Sequence, residues 1–360
     1  MKHRARAGGV ALLLVCALFS GCPRKKAPDA DFSADKTTGP APLAVQFTDL
    51  TAPGSSPVTE WRWLFGDGAE SAEQNPAHTY GAEGVYTVSL EATSAAGANK
   101  ETKTGYITVT EPEPEPGQVE TVMLPGDVPL LMVWVPAGIF QMGAVSGEQG
   151  AQSDESPRHE VTLTKGFWIG KYEITKAQWA AVMDGAAPWE GRGNISDDPD
   201  SPAVWLTWED CAAFTARLSV LTGKAYRLPA EAEWERAGRA ETNSRFYWGD
   251  DLDRLFIGEN AWWIENTWSA GERYAHTVGL KIPNTFGLHD MAGNVWEWCQ
   301  NWYYPYTVDP VTDPRGPATG DSRVMRGGGW FNNEAECRLA NRTYKIPQYA
   351  NYGTGFRVAR

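Results

Sequence analysis

Along residues 31–110 apolar and polar positions alternate in short runs: VQFTDL (45–50), EWRWLFGDG (60–68), VYTVSLEAT (85–93) and YITVT (106–110). A period of two, rich in Val, Thr, Tyr and Trp and broken by Gly, Pro and Ser, is a strand signal rather than a helix signal. The pattern predicts a small antiparallel β-sandwich. Gly66-Asp67-Gly68 supplies hairpin-turn chemistry, and Trp63 and Tyr86 fall at core positions. Beyond EPEPEPGQ (111–118), an extended like-charged linker, the pattern changes. Strand-like pieces (132–143 and 159–175) mix with three helical segments. Residues 175–183 open with a capping box, Thr175 and Gln178. Residues 208–222 have Thr207 as N-cap and Gly223 as stop. Residues 229–237 begin at Pro229, carry Glu231 and Glu233 at the positive end of the helix dipole, and stop at Gly238. The remainder is irregular, and 15 of the 17 Trp lie in this half.

The first residues contain a basic stretch (Lys2, Arg4, Arg6), an apolar run over 10–19 too short for a membrane span, and Phe19-Ser20-Gly21-Cys22. This resembles a bacterial lipobox. It implies lipid on Cys22, a membrane anchor, and a place in the cell envelope. Pro23 after Cys22 favours the outer membrane by the lipoprotein sorting rule. An ordinary cleaved signal peptide is the alternative. Loss of 1–21 takes the formal charge from −13 to −16. An acidic chain of this kind is a poor nucleic-acid partner, because phosphate binding needs clustered Lys and Arg. No HExxH, GxSxG or P-loop occurs, and the His residues have no ligand spacing.

The segment GLHDMAGNVWEWCQNW (287–302) fits neither a plain helix nor a plain strand. Gly293-Asn294 suits a tight turn, and Asp290 and Glu297 flank it. Oxygen ligands converging from such a loop are what calcium requires. Residues 63–68, 75–80 and 84–88 closely resemble the PKD domain. The motifs Pro136-Ala137-Gly138, Glu173-Ile174-Thr175, 227–235 (RLPAEAEWE), 287–298, 326–330 (RGGGW), 338–342 (RLANR) and 355–358 (GFRV) together resemble the formylglycine-generating enzyme, or sulfatase-modifying factor, superfamily. The expected organisation is a signal peptide (1–21), a tether (22–30), an all-β PKD immunoglobulin-like sandwich (31–110), a linker (111–119) and an α+β C-type lectin-like domain with much irregular structure (120–360).

The resemblance implies one calcium site at Asp290, the Gly293 and Val295 carbonyls and Glu297. It implies a second starting at Asn260 and the Ala261 carbonyl, with Glu265 or Glu272 completing it. The family's oxidases hold copper(I) between two thiolates, the soft ligation that this ion needs. Here Gly329 replaces the motif Ser, Asn332 stands at the first Cys position and Cys337 at the second. Copper is therefore not expected, and Cys337 is the one catalytic candidate that remains. Cys299 and Cys337 either form a disulfide or remain two buried thiols. Cys211, at helical spacing with Phe214, Leu218 and Leu221, reads as core. A pocket of Trp296, Trp330, Asn332, Asn333 and Arg342 is expected to bind a protein, peptide or glycan. The alternatives are an oxidase acting on exported proteins and a lectin-fold display protein, the latter suggested by Asn332, Asn333, Asn341 and Asn351.

Overall fold

The computed structural model describes residues 25–360, so the expectation for Cys22 lies outside the described residues. The chain divides into two compact units, Met1–Glu113 and Pro114–Arg360. The first contains β1 (Phe32–Ala34), β2 (Thr38–Pro40), β3 (Leu43–Asp49), β4 (Val58–Leu64), β5 (Glu70–Ser71), β6 (Ala77–Tyr80), β7 (Gly84–Ser94) and β8 (Gly97–Thr110). A three-stranded sheet, β1-β3-β6, faces a five-stranded one, β2-β8-β7-β4-β5. On β3 the alternation read from sequence places Leu43, Val45 and Phe47 in the core and Ala44 and Gln46 outside. Phe32, Phe47, Trp63 and Tyr80 fill the interior. Gly66 adopts φ +90°, and a Cβ there would lie 2.5 Å from the Thr87 carbonyl oxygen, so the turn requires glycine. The sandwich begins before Asp31: Ser55 N–H donates to the Lys26 carbonyl at 2.8 Å, and Asp29 bridges Ala52.

The second unit also starts earlier than its pattern suggested. Gly117 N–H donates to the Trp134 carbonyl and Trp134 N–H to Gln118, both at 2.9 Å. Its elements are β9 (Val119–Leu124), β10 (Val128–Val135), β11 (Gly138–Met142), β12 (His159–Leu163), β13 (Phe167–Gly170), α1 (Lys176–Val182), α2 (Trp208–Thr222), α3 (Glu231–Arg239), α4 (Ile257–Asn260), β14 (Trp296–Trp302), β15 (Val311–Thr312), β16 (Arg323–Arg326), β17 (Arg342–Lys345) and β18 (Thr354–Gly355). Three small sheets run β13-β10-β9, β11-β12-β15 and β17-β16-β14-β18. The capping box at Thr175 and the N-cap at Thr207 form as expected, Thr207 adding a capping box with Asp210, and Gly223 closes α2 at φ +70°. Among the described residues no helix is long and apolar enough to cross a membrane.

Helix α3 departs from its pattern. It starts two residues later than expected and runs past Gly238 to a left-handed Ala240. All nine of its residues are buried although five are charged. Buried charge is tolerable only when it is paired. Glu231 pairs with Arg342 at 2.8 Å and Arg326 at 3.3 Å. Glu235 pairs with Arg239 at 2.8 Å and also with Arg326. Burial alone would raise the Glu235 carboxyl, but Arg239 and Arg326 outweigh it and hold it below the usual range. The helix thus holds β16 and β17 through ions, alongside Ala232, Trp234 and Ala237 packed in the core. The C-terminal residues run beside β13, with Gly170 N–H on the Val358 carbonyl at 2.8 Å, and this carries Arg357 to the centre of the unit.

Candidate functional site

Three acids meet Arg357 inside the second unit. Glu173 follows β13, Asp290 opens the Gly-Asn turn, and Glu297 lies on β14; none is more than 1% exposed. Asp290, Gly293 and Asn294 have φ of +57°, +83° and +59°. Gly293 is obligatory, since a Cβ there would sit 2.1 Å from the Trp262 carbonyl oxygen. Asn294 pins the turn by accepting from His276 N–H at 2.9 Å and donating to its carbonyl at 3.2 Å.

The expected calcium ligands behave differently from one another. Glu297 is the counter-ion of Arg357, which donates to it from Nε at 2.6 Å and from Nη2 at 2.7 Å; Trp234 Nε1 adds a third bond at 2.8 Å. Asp290 accepts Gly279 N–H on one oxygen at 2.7 Å, while its Oδ1 is buried with no partner. Both oxygens of Glu173 are buried and unpartnered as well. Arg357 thus ion-pairs with Glu297 alone, and Glu173 and Asp290 feel its charge without a bond to it. Burial, reinforced by Asp290, pushes the Glu173 carboxyl well up. Burial likewise raises Asp290 to about 6. Orphaned oxygens of this kind suit a hard cation, and Asp290 with Glu173 fits calcium better than Glu297 does. Among the described residues no three His, Cys, Asp or Glu side chains converge at metal-ligand geometry, so carbonyls such as those of Gly293 and Val295 would have to share in the ligation. In the sequence Glu173 stands out only as part of the Glu173-Ile174-Thr175 motif; its isolation from any partner depends on long-range packing.

The second expected site does not fit. Asn260 Nδ2 donates to the Phe256 carbonyl at 2.9 Å, and the Ala261 carbonyl is taken by Asn266 Nδ2 at 2.9 Å. Glu265 reaches Arg254 at 3.8 Å and Glu272 reaches His276 at 2.8 Å. Glu265 and Glu272 are therefore engaged by Arg254 and His276, while Asn260 Oδ1 accepts no bond among the described residues.

The expected ligand pocket is corrected in part. A cleft of about 190 Å³ lies beside β17, with Trp296 and Asn332 on its wall as anticipated. Asn332 Oδ1 accepts from Trp296 Nε1 at 2.9 Å and from Gly329 N–H at 3.0 Å. Trp330 is fully buried, stacked on Trp268 with ring centroids 5.7 Å apart. Asn333 is a turn residue whose Oδ1 accepts Ala335 N–H at 2.9 Å. Arg342 points to the opposite face of β17, onto Glu231 and over the Tyr306 ring at 4.0 Å. Period-two alternation is the reason: Arg342 and Tyr344 share one face, while Thr343 and Lys345 face the cleft. Phe331, Tyr349 and Asn351 complete the wall. Of these, only Asn351 stood out in the sequence.

Among the described residues Cys211, Cys299 and Cys337 are free and buried, so the Cys299–Cys337 bridge is absent. Cys337 is fully buried, and burial, with Glu336 and Glu334 nearby, pushes its thiol well up. Reactive thiols are exposed and depressed in pKa, so Cys337 lacks the environment of a catalytic residue. Asn332 at the other thiolate position is locked to Trp296. We expect Cys211, Cys299 and Cys337 to ignore Ellman's reagent in the native protein and all to react in guanidinium. Rapid native labelling of Cys337 would contradict this assignment.

Residues 125–360 match the family model described as the sulfatase-modifying factor enzyme 1-like domain, and residues 25–109 match the PKD domain. A formylglycine-generating enzyme from Thermomonospora curvata is 32% identical over 294 residues, covering 65% of this chain and 95% of that protein. One from Streptomyces coelicolor is 33% identical, covering 63% and 88%. Among solved structures, PvdO from Pseudomonas aeruginosa aligns with a TM-score of 0.59 and 30% identity over 69% of this chain and 99% of that one. Treponema denticola variable protein 1 aligns at 0.59 and 26% identity, covering 67% and 98%. The chain, with its PKD sandwich ahead of the matching fold, belongs to the sulfatase-modifying factor enzyme 1-like family.

Proposed function

We propose that the C-terminal unit is a binding domain, held by calcium, that takes a peptide or glycan in the cleft beside Trp296 and does not oxidise cysteine. The observation that carries this reading is the state of the two positions where the family's oxidases hold copper. One is Asn332, whose carboxamide oxygen is occupied by Trp296 and Gly329. The other is Cys337, sealed in the core. What the cleft offers instead is aromatic surface (Trp296, Phe331, Tyr349) beside Lys345, Glu336 and Asn351. Aromatic walls with a few polar groups suit ligand recognition rather than redox chemistry. Calcium, when bound, supplies positive charge to Asp290 and Glu173 and braces the turn that carries Trp296. The lipid-modified Cys22 would place the domain in the cell envelope, with the PKD sandwich as a spacer or weak adhesive module.

Two other readings have support. The similarity to formylglycine-generating enzymes favours an oxidase working through Cys337 with an unrecognised partner. The similarity to a variable protein favours a display role for the same cleft. Screening the full chain against peptide and glycan arrays, followed by fluorescence titration of each hit, tests the proposal. Replacing Tyr349 or Lys345 with Ala should weaken a genuine hit roughly tenfold, about 1.4 kcal/mol. Hits that bind both folded variants unchanged would place the ligand elsewhere.

A further inference from the structure

A second hollow of the C-terminal unit, about 670 Å³, opens between residues 145–149, Arg158 and residues 243–252. Two arginines line it, and neither has a carboxylate partner among the described residues. Arg158 Nη2 donates to Asn243 Oδ1 at 2.7 Å, and Arg245 Nη1 donates to the Asp250 carbonyl at 3.0 Å. The Nε of both is buried and unpartnered, and Arg245 is only 4% exposed. The acids nearby form no ion pair with either arginine, although Glu148, Glu334 and Asp250 lie close enough to Arg245 to offset part of its burial cost. Glu148 holds Arg338 at 2.7 Å and Val145 N–H at 3.0 Å, and Asp250 Oδ1 takes the backbone N–H of Arg245 at 3.1 Å. Behind the two arginines stand Arg239, ion-paired with Glu235, and Arg338, ion-paired with Glu148 and Glu155. Burial pushes both guanidinium groups below their usual range, with Arg239 adding to the effect on Arg158 and Arg338 to that on Arg245.

Buried cations without counter-ions are costly, and the cost falls when an anion enters. Guanidinium forks match carboxylate and phosphate oxygens in pairs. The volume is that of a small-molecule site rather than of a bare ion. Val145 and Leu252, 40% and 61% exposed, give the hollow an apolar flank. We propose that this hollow binds a small organic anion, its carboxylate or phosphate head held by Arg158 and Arg245 and its apolar body resting on Val145 and Leu252. This site is separate from the cleft beside Trp296 and does not depend on what that cleft binds.

The full chain should be titrated by calorimetry with phenyl phosphate, phenylacetate and, as the neutral control, benzyl alcohol. Saturable binding of at least one anion, weakened by salt and absent for the alcohol, is the expected result; the head preferred distinguishes phosphate from carboxylate ligands. R158Q should weaken that binding at least about tenfold, the effect of losing a charge-assisted pair. R245Q should do the same; if it fails to fold, as judged by circular dichroism, the half-buried R158Q decides alone. Failure of both anions to saturate, equal binding of the alcohol, or unchanged binding by folded R158Q would overturn the proposal.

Discussion

Replacing Arg326 with methionine should destabilise the C-terminal unit by about 3–5 kcal/mol, the usual cost of breaking a buried ion pair from one side. Arg326 is fully buried and touches both Glu231 and Glu235. It also donates from Nη1 to the Leu339 and Asn341 carbonyls, at 3.0 and 2.6 Å. The substitution leaves those carbonyls unsatisfied and gives two buried acids one fewer partner. At 2–4 °C per kcal/mol for a unit of this size, the melting temperature should fall by roughly 10 °C. Adding Glu235→Leu should deepen the loss, because it takes from the buried Arg239 its carboxylate partner and from Gly143 N–H its acceptor. A melting curve for R326M within about 1 kcal/mol of the native protein would show that α3 is held by packing instead.

Chelation of calcium should have the second large effect. The proposed ion answers a charge shortfall: Arg357 is bound by Glu297, and three oxygens of Glu173 and Asp290 have no partner. A ligand that binds only the folded state stabilises it by about 2.7 kcal/mol at a hundredfold excess over Kd. Removing calcium with EGTA should therefore lower the melting temperature by several degrees, and added calcium should restore it. Glu173→Gln should abolish most of that calcium response, whereas no response in the native protein would remove calcium from the account. The pH dependence supplies an independent check. In the ion-free protein the Asp290 carboxyl is raised from the ordinary 3.8 to about 6, chiefly by burial. The folded state then binds the proton more tightly than the unfolded chain. This group opposes folding above about pH 6, and the penalty is relieved as the pH falls from 6 toward 3.8. Glu173 shifts in the same direction. In calcium the sign should reverse over that window, because protons displace the ion.

Much of the fold was legible because its signals are local. Alternation on β3, the capping box at Thr175, the N-cap at Thr207 and Gly223 each depend on a few neighbouring residues. The ends of α3 were misjudged because its stability comes from arginines far along the chain, which propensity does not register. The site divides in the same way. Gly293 and Asn294 announce a turn by their backbone geometry, and Asp290 next to them keeps a free oxygen. Glu297 reads as a ligand in the sequence, whereas its pairing with Arg357, sixty residues later, depends on the packed fold. Arg342 was assigned to the cleft although it lies one register step from the face that lines it, so Thr343 and Lys345 were overlooked. Cys337 matched a motif position, but its burial is a property of the packed core.

The most direct test of the account is to incubate the full chain with copper(I), oxygen and a cysteine-containing sulfatase-motif peptide, and to follow the peptide by mass spectrometry. A binding domain without a thiolate pair should leave the peptide cysteine intact, with or without copper. Copper-dependent appearance of the aldehyde, lost in Cys337→Ser, would contradict the proposal and restore the oxidase reading.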